Sequence, residues 1–179
     1  SAASAQAVSK SAVTQARQRL GAKPLAQLFD QTARAWCQQD AEYHAWQGLS
    51  LWAMDGTTFR TPDSTNNRAH FGAQAYASGK VASYPQVRAV SITAIPTHLV
   101  SDIAFGTYAQ NEMLYAKTLV GRIADHSLTV FDRGFLSAEI LLGLTLGGQE
   151  RHYLIPAKSN TKWEVLSGSA DDCLVRMRV

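Results

Sequence analysis

Acidic residues are missing from the first 29 positions. Ser1 to Phe29 holds Lys10, Arg17, Arg19 and Lys23 and no aspartate or glutamate. A segment with charge of one sign suits a phosphate backbone, although on charge alone it reads equally well as a solvated basic helix. Cysteine is nearly as scarce. Cys37 and Cys173 stand far apart with no CxxC or His/Cys ligand spacing, which excludes a zinc finger and reads as two reduced thiols of a cytosolic protein. Long apolar runs are absent too. The longest, Ile140 to Leu146, falls well short of the roughly 18 residues that span a bilayer and is interrupted by Gly143. The first residues carry no apolar stretch of the signal-peptide kind, so the expectation is a cytoplasmic protein with no membrane partner.

What is present is enough for a core. A chain of 179 residues with 46% hydrophobic content fits one ordinary domain, or one domain with an appendage. The pattern predicts a helix over Val8 to Leu20, capped at Ser9 or Ser11 and stopped by Gly21. Pro24 opens a second helix whose stripe is Leu25, Leu28, Phe29, Thr32, Ala33, Trp36 and Cys37. Arg60 to Tyr84 is polar and reads as one long loop, with Asp63 in a turn. Gln86 to Ile95 and Leu99 to Phe105 read as a hairpin around Pro96-Thr97. Asn111 caps a helix to Ile123 with Glu112 favouring its first turn, and Ser137 caps another that ends at Gly147-Gly148. His152 to Ile155 is a further strand. The order of elements argues for an α/β fold with a mixed sheet. Val175, Met177 and Val179 alternate with Arg176 and Arg178, a strand beginning with no partner after it, as in a chain cut from something longer.

Two strand-like runs close on an aspartate: Leu49 to Met54 leads into Asp55-Gly56-Thr57-Thr58, and Leu128 to Phe131 into Asp132-Arg133-Gly134-Phe135. A carboxylate at the rim of a sheet is costly to bury unless it meets a cation. On adjacent strands about 4.8 Å apart, two of them at equal height can share a divalent metal. The plainer alternative is that each aspartate caps the turn that follows it. The histidines show no ligand spacing, and Trp36 and Trp52 read as core residues.

These residues carry a resemblance. Val8 to Gly21, Asp55-Gly56-Thr57-Thr58, Asn67 to Gly72, Tyr84-Pro85-Gln86-Val87-Arg88 and Asp132-Arg133-Gly134-Phe135, followed by Leu141-Leu142 and His152 to Ile155, resemble DDE-type insertion-sequence transposases. The branch is the one with a Tyr-Arg-Glu-Lys signature. Two aspartate blocks in order, each in strand context with a helix between, make the match specific over nearly the whole chain.

The resemblance implies a ribonuclease H-like mixed sheet flanked by helices, with Asp55 and Asp132 as catalytic and metal-binding carboxylates for Mg²⁺ or Mn²⁺. It implies residues 1–23 as the end of an N-terminal DNA-binding region, 24–162 as an incomplete catalytic core and 163–179 as the start of a β-rich insertion. Its third carboxylate belongs to a Tyr-Arg-Glu-Lys block that does not occur here; Glu150 and Glu164 lack that context. The expectation is therefore a transposase fragment that is inactive alone. Its partners would be double-stranded DNA at transposon ends and, in a synaptic complex, further copies of itself, at the bacterial nucleoid. Lys10, Arg17, Arg19, Arg68, Lys80, Arg133, Lys158 and Lys162 are the candidate DNA contacts. A non-catalytic DNA-binding remnant and a ribonuclease H-like nuclease are the alternatives.

Overall fold

Capping chemistry sets where the helices begin. Ser9 accepts from Ala12 N ahead of α1 (Lys10–Leu20), and Gly21 at φ 71° ends it. Helix α2 (Lys23–Gln39) starts beside Pro24 as expected. Asn111 caps α4 (Glu112–Val120) through Met113 N, and Ser137 caps α5 (Ala138–Leu146) through Ile140 N. Each such cap contributes about 1 kcal/mol by satisfying an amide that the helix itself leaves unpaired. The computed structural model that gives this fold describes residues 8–39, 43–77 and 79–177. Ser1 to Ala7 of the basic segment, Ser78 of the polar stretch, and Arg178 and Val179 of the terminal alternation lie outside the described residues.

Five strands form one mixed sheet in the order β3-β2-β1-β4-β5. Its members are β1 (Ser50–Arg60), β2 (Gln86–Ala94), β3 (Val100–Thr107), β4 (Ser127–Phe131) and β5 (Arg151–Leu154). β1, β2 and β3 pair antiparallel, whereas β1 with β4 and β4 with β5 are parallel. This is the mixed, helix-flanked α/β sheet of ribonuclease H-like order. β6 (Trp163–Gly168) and β7 (Cys173–Met177) make a separate antiparallel pair, so the terminal strand does have a partner, the one before it.

Alternation decides which face is buried. Trp52 and Met54 of β1, Val90, Ile92 and Ala94 of β2, and Phe131 of β4 point to one face. There they join Cys37 of α2, Tyr115, Ala116 and Leu119 of α4, and Ile140 and Leu144 of α5 in a single cluster. Burying each of the larger side chains contributes about 1.5–3 kcal/mol. On the other face Phe59, Ile103, Phe105 and Leu154 are exposed.

Three readings need correction. Arg60 to Tyr84 is not one loop: it contains α3 (Thr65–Phe71), with Ser64 as cap and Gly72 at φ 74°. Trp36 is 57% exposed, because only Ala33 and Cys37 of α2 are buried. Asp55 does not end its strand. β1 continues to Arg60 against β2, and it is β4 that stops at the level of Asp55.

Candidate active site

The register of β1 with β4 builds the site. Met54 pairs with Phe131 in parallel, so the next residues, Asp55 and Asp132, stand level on neighbouring strands. Both lie opposite the buried face and both are exposed. Each carboxylate is steadied by a backbone amide: Gly56 N–H donates to Asp55 Oδ1 at 2.8 Å, and Gly134 N–H to Asp132 Oδ1 at 2.7 Å. Asp132 thereby caps the 3₁₀ turn Arg133–Phe135, so the plainer reading of a capping aspartate is true of it as well. Phe135, 1% exposed, anchors that turn in the core beside Phe131, with ring centroids 6.1 Å apart. Gly134 has to be small, since a Cβ there would sit 2.8 Å from Asp132 Oδ1.

A third acid approaches from α4. Glu112, at the first position of that helix, lies over Gly56, and a Cβ at position 56 would overlap its carboxylate. Burial pushes the Glu112 carboxyl up from its ordinary range. The Arg88 guanidinium pulls it down, and the charges of Asp132 and Asp55 push it up again. Glu112 therefore senses both aspartates. The three do not converge: among the described residues no group of three or more His, Cys, Asp or Glu is placed to hold one ion. Glu112 was read as a helix-terminal residue, which it is; its place above Gly56 depends on how α4 packs on the sheet and carries no local signal.

The basic candidates divide. Lys158 Nζ donates to Leu136 O at 3.2 Å, tying the segment after β5 to the turn that follows Asp132. Arg133, Lys162 and Lys80 are exposed. Lys10, Arg17 and Arg19 lie on α1, which buries no residue. Arg68 is engaged within the chain: it pairs with Asp63 and donates to Ser83 O, stapling α3 to the segment before β2. Glu150 receives His126 Nδ1 at 2.7 Å beside the start of β4, the end of the sheet away from Asp132, and Glu164 pairs with Arg176 across β6 and β7.

Arg88 stands in the Tyr84 to Arg88 segment of the resemblance but not among the candidate contacts. It follows the buried phase of β2, in step with Val90 and Ile92, and an arginine in an otherwise apolar phase was the available signal. It lines a cleft of about 450 Å³ with Gly56, Thr57, Thr58, Tyr108 and Glu112. A larger cleft, about 540 Å³, lies at the other end of the sheet between α2 and the turn into β4. There Asp102, 3% exposed, is held by Arg34 at 3.0 Å and Arg122 at 2.8 Å. Cys37 and Cys173 are free thiols; burial and the charge of Asp102 push the Cys37 thiol up. Among the described residues no helix is long and apolar enough to cross a membrane.

Comparison with known proteins places this geometry in context. Residues 46–179 match the family model described as the transposase DDE domain, and residues 1–30 match the N-terminal model of the insertion element 4 transposase. The transposase InsG of insertion sequence element IS4 from Escherichia coli (strain K12) is 40% identical over 157 residues, 88% of this chain and 35% of its own length. The InsZ protein of the same strain is 38% identical over 162 residues, 89% of this chain and 53% of its own. The chain thus spans about a third of one relative and about half of the other. Among solved structures, a piggyBac transposase synaptic complex with hairpin DNA is a distant likeness. Its TM-score is 0.39 at 11% identity, over 63% of this chain and 24% of that one.

Proposed function

The chain belongs to the transposase DDE-domain family, and from that premise we propose that it is part of an insertion-sequence transposase. In this reading it binds double-stranded DNA at element ends and contributes two carboxylates to a metal-dependent site for strand cleavage and transfer. The observation that carries the reading is the parallel pairing of β1 with β4, which sets Asp55 and Asp132 level on adjacent strands.

The donor set fits a hard divalent cation. Both carboxylates are exposed, offer oxygen ligands only, and have one oxygen each engaged by an amide with the other open. Mg²⁺ suits one or two such carboxylates together with waters and substrate phosphate, and Mn²⁺ shares the preference for oxygen. Asp55 and Asp132 would hold the ion. Bound there, it would activate a water or a 3′-hydroxyl and stabilise the leaving oxygen.

The chain's own residues do the positioning. The amides of Gly56 and Gly134 fix the carboxylates, and the buried Phe135 fixes the turn that carries Asp132. Arg133, Lys158, Lys162 and Lys80 supply positive charge to phosphates near the site, with Lys10, Arg17 and Arg19 further out. Residues 1–23 serve as the end of a DNA-binding region, 24–162 as the catalytic core and 163–179 as the start of a β-rich insertion. The relatives extend well beyond the matched segment; a glutamate supplied from such a region completes the set, and the chain by itself is inactive. Copies associate around paired element ends, and the bacterial nucleoid is where that substrate lies.

Titration with Mn²⁺ tests the site. Paramagnetic broadening should appear first at the amides of Gly56 and Gly134, with weak affinity because a ligand is missing, and should vanish in Asp132→Asn. Broadening that survives this substitution would place the ligands elsewhere.

A further inference from the structure

We propose that Ser91 is a positioning residue for the metal site: its hydroxyl donates to Asp55 Oδ2 and sets the angle at which that carboxylate meets the ion. The inference rests on the metal-site reading above and adds to it a residue from a third strand.

Three observations carry it. The first is register. β1 and β2 pair Asp55 with Ser91, just as β1 and β4 set Asp55 level with Asp132. Residues directly opposite on paired strands share a face. Ser91, Asp55 and Asp132 therefore form one row across β2, β1 and β4, on the face away from the helices. The phase of β2 agrees: Val90 and Ile92, on either side of Ser91, are buried in the core with Met54. Cβ atoms of an opposed pair are about 4.5–5.5 Å apart, so a turn about χ1 brings a serine hydroxyl within hydrogen-bond reach of the carboxylate.

The second is an idle hydroxyl. The other serines of the five-stranded sheet are engaged: Ser50 Oγ donates to His126 O, Ser101 Oγ to Ile92 O and Ser127 Oγ to Ala124 O. Ser91 is half-buried, and among the described residues its Oγ has no hydrogen-bond partner. Ala89 and Thr93 flank it along β2, and Ile103 lies opposite on β3. The charged acceptor directly opposite is Asp55.

The third is a difference between the two aspartates. Asp132 is bonded by the Gly134 amide, and the buried Phe135 fixes the turn that carries it. Asp55 lies within a strand, and among the described residues only the amide of the next residue, Gly56, bonds it, through Oδ1. Carboxylates that bind metals are themselves oriented by hydrogen bonds from neighbours. Ser91 supplies that second hold, and the oxygen it takes keeps a further lone pair for the ion.

The experiment titrates the 179-residue chain with Mn²⁺ and reads paramagnetic broadening at Gly56 and Gly134. Ser91→Ala should weaken Mn²⁺ affinity about tenfold, the lower end of what losing a metal ligand's orienting neighbour costs. Ser91→Thr keeps a hydroxyl on a branched side chain suited to a strand, and should return the affinity to near wild type. In the wild type, the Ser91 Cβ resonance should move when Mg²⁺ is added and stay still in Asp55→Asn. That measurement needs no Ser91 variant to fold. No broadening at Gly56 or Gly134 in the wild type would sink the metal-site reading itself. Broadening there with an unmoved Ser91 resonance, or a Ser91→Ala affinity equal to wild type, would overturn the inference and leave that reading standing. A loss that Ser91→Thr fails to restore would overturn it too, since the hydroxyl would then not be the group that matters.

Discussion

Gly56 is bare because Glu112 occupies the space where a side chain would begin. Gly56→Ala must swing the flexible end of the Glu112 side chain aside, so its cost should lie at the low end of the about 1–3 kcal/mol of over-packing. The Glu112 carboxyl is already pushed up by burial, so its ionised form is the one the fold disfavours. Stability tied to it falls as pH rises from the unfolded carboxyl's range through the folded one, and above that range the residue is a net cost. Glu112→Ala should therefore be nearly neutral at pH 7, and the double variant should recover most of what Gly56→Ala loses. Urea unfolding of the four proteins measures the coupling. Additive losses would mean that Glu112 does not sit against Gly56.

The helices show a division between what neighbours in sequence determine and what only distant partners can. Ser9, Asn111 and Ser137 act on amides within three residues, and all three caps were legible. The two aspartate runs were legible as strands because each is apolar and bounded, but that they pair followed only from the family resemblance. Helix α3 was not: Ser64 caps it, but Thr65 to His70 is polar and buries nothing, so no stripe announced it. The attachment of α2 was equally hidden. Of its apolar stripe Leu25, Leu28 and Trp36 stay exposed while Ala33 and Cys37 are buried, and Arg34 adds a tie to Asp102, 68 residues away. Asp102 also holds Arg122, so one carboxylate joins α2, β3 and the end of α4. Asp102→Asn keeps the volume and removes the charge, and should cost about 1.5–3 kcal/mol, the worth of hydrogen bonds to a charged group. Hydrogen exchange should rise first in α2. Unchanged protection there would show that apolar contacts alone fasten the helix.

Across the whole molecule, charge is unevenly placed. The net charge is +3, yet α1 and the start of α2 carry Lys10, Arg17, Arg19 and Lys23, all exposed, ahead of the first acid. Duplex DNA held by such a surface releases counterions, so log affinity should fall linearly with log salt by about 0.9 per phosphate neutralised. Charge reversal at Arg17 and Arg19 should weaken every duplex alike, read by gel shift at two salt concentrations. Salt-insensitive binding would remove α1 from the interface.

The sheet order also dictates when the two aspartates can meet. β1, β2 and β3 are consecutive partners, with α3 inside the first connection and a tight turn as the second, whereas Asp132 on the far side of β4 follows Asp55 by 132 − 55 = 77 positions, the longer closure. On a ribosome the three-stranded meander bearing Asp55 is complete before Asp132 has been translated. An unfinished chain thus presents one carboxylate without its neighbour, and the level pair proposed to hold an ion exists only once β4 has docked beside β1.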